Sequence, residues 1–224
     1  KASGGHVDLK KVYYINNGVD LSDFNAWKDT YQLDDMDIKS KYKKIIYLGS
    51  IRLVNNVMQL IKAAELLSSK KDIKIIIYGD GDDRGKLINY CEERSLSNII
   101  FKDKWVDPKY VPFILSQSYV NILNYSEGFG KYGISSSKMF QYMASGRPIV
   151  CNIDIYDCPI TKHNIGIAKH FNSPEEYAKG IESILSLPEV EYNAMCQRAY
   201  AAAMEFDYKV LTHKVITVIQ KFEN

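Results

Sequence analysis

Five short apolar runs, each leading into a segment of different periodicity, constrain this 224-residue chain more than any other feature. Ile45-Ile46-Tyr47-Leu48 ends at Gly49, after which Val57, Leu60, Ile61, Ala64 and Leu67 recur at helical spacing. Ile73 to Tyr78 is a second strand, stopped by Gly79-Asp80-Gly81, and Leu87, Tyr90 and Cys91 mark the helix after it. Asn98-Ile99-Ile100-Phe101 gives a third strand, and Pro108 to Ser116 a helix with proline near its start. Tyr119 to Leu123 is the fourth strand. A polar, glycine-rich loop from Asn124 to Gly133 then leads to a helix over about Ser135 to Ala144 and a fifth strand, Pro148-Ile149-Val150-Cys151. Strands that are apolar without interruption are buried on both faces. Alternated with helices, they predict a parallel, doubly wound α/β sheet with right-handed crossovers. In such sheets the ligand sits beyond the carboxyl ends of the strands. That rule singles out residues 49–56, 79–84, 104–107 and 125–137.

The remaining segments are simpler. Pro174 to Leu185 and Pro188 to Met204 read as helices, and Leu211, Val215, Val218 and Phe222 mark a last amphipathic one. The first forty residues carry less pattern and read as a connecting segment with a turn at Asn17-Gly18. With 46% hydrophobic and 25% charged residues, the chain can build a core, which excludes disordered and low-complexity classes. Its 29 Lys and Arg against 27 Asp and Glu leave a formal charge of +2, no basis for a nucleic-acid partner. Cys91, Cys151, Cys158 and Cys196 form no CxxC pair and have no His at zinc spacing, so reduced cytosolic thiols are expected and no metal. No apolar run reaches the ~20 residues of a membrane span, and no secretory signal opens the chain. Asn124-Tyr125-Ser126 therefore reads as a chance sequon, and a cytoplasmic location is expected. The start Lys1-Ala2-Ser3-Gly4-Gly5, without Met, reads as a piece of something longer.

Among the loops, the helix opening at Ser135-Ser136-Ser137 is the best candidate anion site. The first N–H groups of a helix lack partners and its dipole is positive there. Gly133 allows close backbone approach, Ser135 or Ser136 can cap, and Lys138 adds charge. Plain N-capping beside a solvated lysine fits the same residues equally well. Gly79-Asp80-Gly81 lacks the third glycine of a dinucleotide loop, and Asp80, Asp82 and Asp83 would repel pyrophosphate, which argues against a nicotinamide cofactor. Arg84 reads as a surface residue. Trp105, just after the third strand, fits either a partly buried core indole or a base-stacking platform. His163 and His170 read as ordinary loop positions.

Several blocks, in order, resemble the carboxyl-terminal, donor-binding half of the family 4 (group 1) glycosyltransferases, whose two Rossmann-like domains make the GT-B architecture. Ile15-Asn16-Asn17-Gly18-Val19-Asp20 with Phe24 is similar to the family's I-P-N-G-V-D…F entry segment, with Asn16 in place of its Pro. Tyr47-Leu48-Gly49-Ser50 through Ala63 resembles its first strand, loop and helix, and Ile76-Ile77-Tyr78-Gly79-Asp80-Gly81 its second strand and loop. Asn98 through Val106 resembles the strand leading to the base-contacting loop. Met143-Ala144-Ser145-Gly146-Arg147-Pro148-Ile149-Val150 is close to M-A-x-G-x-P-V-V, and Asn172-Ser173-Pro174-Glu175-Glu176 and Phe206-Asp207 resemble the closing helices. The resemblance implies a leading segment over 1–40, a nucleotide-sugar-binding domain over 41–205 and a C-terminal helix over 206–224.

It also implies transfer of a sugar from a nucleoside diphosphate, with uridine the expected base, to a glycan or lipid-linked acceptor, with retention and without metal or other cofactor. The partner for transfer would be an amino-terminal acceptor domain of the same protein, the full-length enzyme associating peripherally with the cytoplasmic face of the inner membrane. Carried over by position, Gly49, Ser50, Arg52 and Asn55 contact diphosphate. Ser50 and Asn55 stand where the family has Arg and Lys, and Arg52 is placed to restore charge. Gly133, Ile134, Ser135, Ser136, Ser137 and Lys138 line the diphosphate and sugar. The Val106 backbone holds the base, with Lys104 or Trp105 beside it.

The family's two glutamates, eight residues apart, fall here on Gly133 and Gln141. Gln141 retains hydrogen bonding to ribose in uncharged form. Glu127-Gly128-Phe129-Gly130 has the first glutamate's usual context six residues early, so either a loop insertion returns Glu127 to the catalytic position or the spelling is coincidence. Tyr132-Gly133-Ile134-Ser135 with Lys138 resembles a bacterial capsule and O-antigen branch that often lacks that glutamate. Two other classes share these features: a nucleotide-sugar epimerase of similar build, and a catalytically degenerate nucleotide-binding module.

Overall fold

The computed structural model describes residues 7–222. Its strands are β1 (Lys43–Leu48), β2 (Ile73–Tyr78), β3 (Ile99–Phe101), β4 (Val120–Leu123), β5 (Ile149–Cys151) and β6 (Gly166–Ala168). Its helices are α1 (Leu21–Thr30), α2 (Met36–Lys39), α3 (Val57–Leu66), α4 (Arg84–Glu93), α5 (Val111–Ser116), α6 (Ser137–Ala144), α7 (Pro159–Lys162), α8 (Pro174–Leu185), α9 (Glu189–Met204) and α10 (Tyr208–Gln220). All strand pairs are parallel, in the order β3-β2-β1-β4-β5-β6. This is the doubly wound α/β arrangement expected from the apolar runs. The chain reverses direction across the sheet between β1 and β4, and there the carboxyl-end loops diverge to open a crevice.

Successive strand residues face opposite layers, and both layers are apolar. Ile45, Tyr47, Ile75 and Ile77 pack with α3, α4 and α8 on one side. Ile46, Ile76 and Tyr78 pack with Ile38, Phe113 and Ile114 on the other. Next to them α1, α6 and α9 cover β5 through Phe24, Met139, Phe140, Met143 and Ala199. A sheet covered this way has no polar face, which is why its strands read as continuous apolar runs.

Three features depart from the sequence reading, one of them the short helix α7 between β5 and β6. The sheet has a sixth strand, β6, whose three residues Gly166-Ile167-Ala168 pair with β5. Gly166 is required there, since a Cβ would lie 1.9 Å from the Ile149 carbonyl oxygen at φ +153°. The leading forty residues also form helices. Asp20 caps α1 by accepting from the Asp23 N–H at 2.9 Å, and Asp35 caps α2 through the N–H groups of Asp37 and Ile38. The segment is tied to the far end of the chain by Val19, whose N–H donates to the Phe206 carbonyl and whose carbonyl accepts from the Tyr208 N–H, both at 3.0 Å.

Candidate functional site

At the β1/β4 switch point the loop after β1 runs beside the loop after β2. Gly49 N–H donates to Tyr78 O at 3.1 Å and Ile51 N–H to Asp80 O at 2.8 Å, extending the pairing beyond the strands. A Cβ on Gly79 would lie 1.9 Å from Gly49 O, and one on Gly81 2.2 Å from Ile51 O. The Gly-x-Gly pair therefore serves backbone packing between two loops. Arg84 is fastened to the same structure, donating to Gly79 O at 3.0 Å and Lys102 O at 2.6 Å rather than lying free on the surface. Ser50 Oγ donates to Asn55 Oδ1 at 2.9 Å, and Tyr47 O–H to Ser50 O at 2.5 Å. The two positions where the resemblance has cations thus form a neutral turn, with Asn55 buried. Arg52 is exposed, and no ion pair reaches it among the described residues.

The cation beside this turn comes from α6 instead. The Lys138 ammonium lies over Gly49, 2.7 Å from where a Cβ would stand, so the glycine makes its room. It sits 5.6 Å from the Tyr47 ring centroid and 5.8 Å from that of Tyr125. No carboxylate or hydrogen-bond acceptor meets it among the described residues. Burial pushes its pKa below the ordinary 10.5. A partly buried, unpaired cation at the switch point is a place for an anion.

The start of α6 also leaves polar groups unengaged. Ser136 is the N-cap, in extended conformation, but its side chain makes no capping bond. Ser135 does not cap either: its Oγ accepts from the Asn17 N–H at 2.6 Å, tying the loop to the leading segment. The Ser137 and Lys138 N–H groups meet no acceptor among the described residues. Gly133 turns the chain at φ +89° and donates to Gly130 O at 3.0 Å, and Ile134 is buried.

The long loop is anchored from below. Asn152 clamps Tyr125 through both backbone groups, accepting from its N–H at 2.8 Å and donating to its carbonyl at 2.9 Å, while also donating to Gln59 at 2.7 Å. Asn124 Nδ2 donates to Asn56 O at 3.0 Å and Asn124 Oδ1 accepts from the Tyr177 hydroxyl at 2.5 Å. Ser126 N–H donates to Val54 O at 2.7 Å, and Tyr156 N–H to Gly130 O at 3.2 Å. Between these anchors Glu127 is exposed on the loop adjoining the 52–55 turn, and Phe129 stacks on Tyr125 at 4.8 Å. Burial drives the Tyr125 phenol up to about 12. Tyr142, fully buried, donates to Leu48 O at 3.1 Å and accepts from Leu48 N–H at 3.3 Å, fixing α6 against the end of β1.

On the β3 side, Trp105 is 72% exposed, which removes the core-indole reading. Val106 packs into the core, and Lys104 is exposed, 3.8 Å from Asp80. Trp105 and Val106 line a cavity of ≈ 360 Å³ with Tyr78 and Asp103. Gln141 and Ser137 line a second, of ≈ 190 Å³, with Trp27 and Pro108, and no partner meets the Gln141 side chain among the described residues. Among those residues no three His, Cys, Asp or Glu side chains gather to hold a metal, and no helix is long and apolar enough to cross a membrane.

The model of the family "Glycosyl transferases group 1" matches residues 32–202. The chain belongs to this family. It is 24% identical over 182 residues to the uncharacterized glycosyltransferase MJ1607 of Methanocaldococcus jannaschii, covering 79% of this chain and 45% of that protein. The chain spans less than half the length of the curated relatives it matches. The C-terminal domain of the group 1 glycosyl transferase LpcC of Francisella tularensis superposes with a TM-score of 0.64 at 21% identity, over 84% of this chain and 97% of that one. HepE of Anabaena, solved with UDP and glucose, gives 0.72 at 14% identity, over 98% of this chain and 59% of that one. At those identities the two structures establish the shared fold.

Within this group 1 domain, the structure brings Lys138 over Gly49 at the switch point, with Ser137 just before it at the start of α6 and Gln141 one turn further along. Ser50 and Asn55 hold the adjoining turn, Ser135 is engaged elsewhere, and Lys104 lines neither cavity. Sequence reasoning missed the supporting polar residues Tyr47, Asn152 and Tyr142. Their signal was weak, because two sit among apolar residues and read as core.

Proposed function

We propose that this domain binds the nucleoside diphosphate of a sugar donor and supports glycosyl transfer to a glycan or lipid-linked acceptor. The observation that carries the reading is Lys138: a partly buried ammonium that meets no counter-charge among the described residues, at the start of α6 where the Ser137 and Lys138 N–H groups meet no acceptor. Cleaving the bond between sugar and phosphate develops positive charge on the sugar and negative charge on the departing diphosphate. Donors fixed in advance stabilise that negative charge without reorganising. Lys138, the Ser137 and Lys138 amides and exposed Arg52 supply such donors, and Gly49 leaves the room that the Lys138 ammonium takes up beside them. No metal enters this scheme, because the chain's own cations and amides neutralise the leaving group. Gln141 is assigned to the ribose hydroxyls. The UDP held by HepE supports a uridine donor for this chain. We assign Glu127 to the sugar face, transfer with retention, and a place in bacterial surface-polysaccharide synthesis of the capsule or O-antigen kind, at the cytoplasmic face of the membrane. Acceptor contacts fall to a second domain, so the domain alone binds donor without transferring sugar.

Titration of the purified chain with UDP, UDP-sugars and GDP tests this. Gln141→Ala and Arg52→Ala weaken UDP binding. Glu127→Ala leaves binding intact and lowers turnover of the intact enzyme. Absence of binding and of any thermal shift at millimolar nucleotide would overturn the proposal.

A further inference from the structure

β4 ends at Leu123 and β5 at Cys151, and the ladder between them fades there, with Asn152 N–H reaching Leu123 O at 3.4 Å. The next contact between the two strand ends is made by a side chain. Asn152 is 1% exposed, and its amide accepts from the Tyr125 N–H at 2.8 Å and donates to the Tyr125 carbonyl at 2.9 Å. A carboxamide can meet the N–H and the carbonyl of one residue in a single orientation. Its remaining N–H then faces Gln59, whose Oε1 accepts at 2.7 Å. Gln59 is fixed in turn by donating to Phe171 O at 2.9 Å. Three segments thus converge on one buried amide: the first turn of α3, the start of the long loop and the residues before α8.

The Tyr125 backbone groups are buried and need partners. A water would satisfy them yet leave the residue free to shift, whereas a satisfied side-chain network holds one geometry. What is held here is Tyr125. Its ring stands 5.8 Å from the Lys138 ammonium on one side and stacks on Phe129 at 4.8 Å, planes 3° apart, on another. The Lys138 ammonium has no hydrogen bond or ion pair of its own among the described residues. Its place is therefore set by what surrounds it, the Gly49 backbone and the Tyr47 and Tyr125 rings. We propose that Asn152 is a positioning residue of the donor site: acting through Tyr125, it sets where the Lys138 ammonium meets the diphosphate. The inference rests on the donor-binding reading above and adds to it a residue that touches no substrate.

A double-mutant cycle on the full chain, read by UDP calorimetry well below the melting temperature, tests it. Asn152→Ala is expected to weaken UDP ~10-fold, the equivalent of about 1.4 kcal/mol. Loss of a merely structural contact lowers the urea midpoint and leaves the affinity of the folded chain alone. Asn98→Ala supplies that control, since the Asn98 amide is also buried and donates to Ala64 O at 2.7 Å, at the amino ends of the strands. In a Lys138→Met background, Asn152→Ala should weaken UDP by less than about twofold more, because the group it positions is gone. Asn152→Ser, whose hydroxyl is one bond short of the amide's reach, gives the same readings should alanine unfold the chain. A UDP affinity within about twofold of wild type in a folded Asn152 variant, an equal loss in Asn98→Ala, or losses that multiply in the double variant, overturns the assignment and leaves the donor-binding reading standing. Failure of the wild-type chain to bind UDP overturns both.

Discussion

Replacing Lys138 with Met separates what the free domain needs from what a bound diphosphate needs. Met keeps a flexible apolar stem over Gly49 and removes the charge. Among the described residues that charge has no carboxylate or hydrogen-bond partner, and it faces the Tyr47 and Tyr125 rings at 5.6 and 5.8 Å. Its loss therefore does not lower the stability of the free domain. The pH dependence follows in sign. Burial holds the ammonium below its ordinary 10.5, so the unfolded chain retains this proton after the folded one has released it. Stability rises with pH wherever the unfolded state binds more protons. Wild type should gain stability relative to Lys138→Met as pH climbs from the lowered folded value to 10.5. Toward a diphosphate the balance reverses, because a charge-assisted hydrogen bond contributes about 1.5–3 kcal/mol. The variant should bind UDP about 10- to 150-fold more weakly by calorimetry. A UDP affinity within about twofold of wild type, or a free domain less stable by more than about 2 kcal/mol, would refute the reasoning, the latter by revealing a structural partner.

Two other substitutions probe the frame. Gly79→Ala places a Cβ 1.9 Å from the Gly49 carbonyl oxygen at φ +126°, where backbone must move, and should cost about 3 kcal/mol or more in urea unfolding. Tyr142→Phe removes a buried hydroxyl bonded to both backbone groups of Leu48 and should cost about 1–2 kcal/mol, read as a lower urea midpoint at unchanged slope.

The parallel sheet was legible because β1 to β5 are apolar on both faces, and nothing but a covered strand needs that. β6 was not, since Gly166-Ile167-Ala168 is three residues long and two of them are small; its place comes from pairing with β5. Nor was α1 legible: only Leu21 and Phe24 of its ten residues are buried, too few to set a period. At the site, Lys138 was legible as a charge near a helix start. That it meets no counter-ion among the described residues was not, because its surroundings are Gly49, Tyr47 and Tyr125 from other elements. Ser135 reads locally as a cap, yet its hydroxyl is taken by Asn17, 118 residues away. Trp105 has the apolar bulk of a core residue and the exposure of a platform, while Val106 beside it packs into the core.

A crystal structure of the chain with UDP tests the central claim most directly. The account predicts diphosphate oxygens ~2.7–2.9 Å from Lys138 Nζ and within hydrogen-bond reach of the Ser137 and Lys138 amides, with Gln141 on the ribose. UDP bound away from the start of α6, or a diphosphate held there while Lys138 points elsewhere, would contradict it.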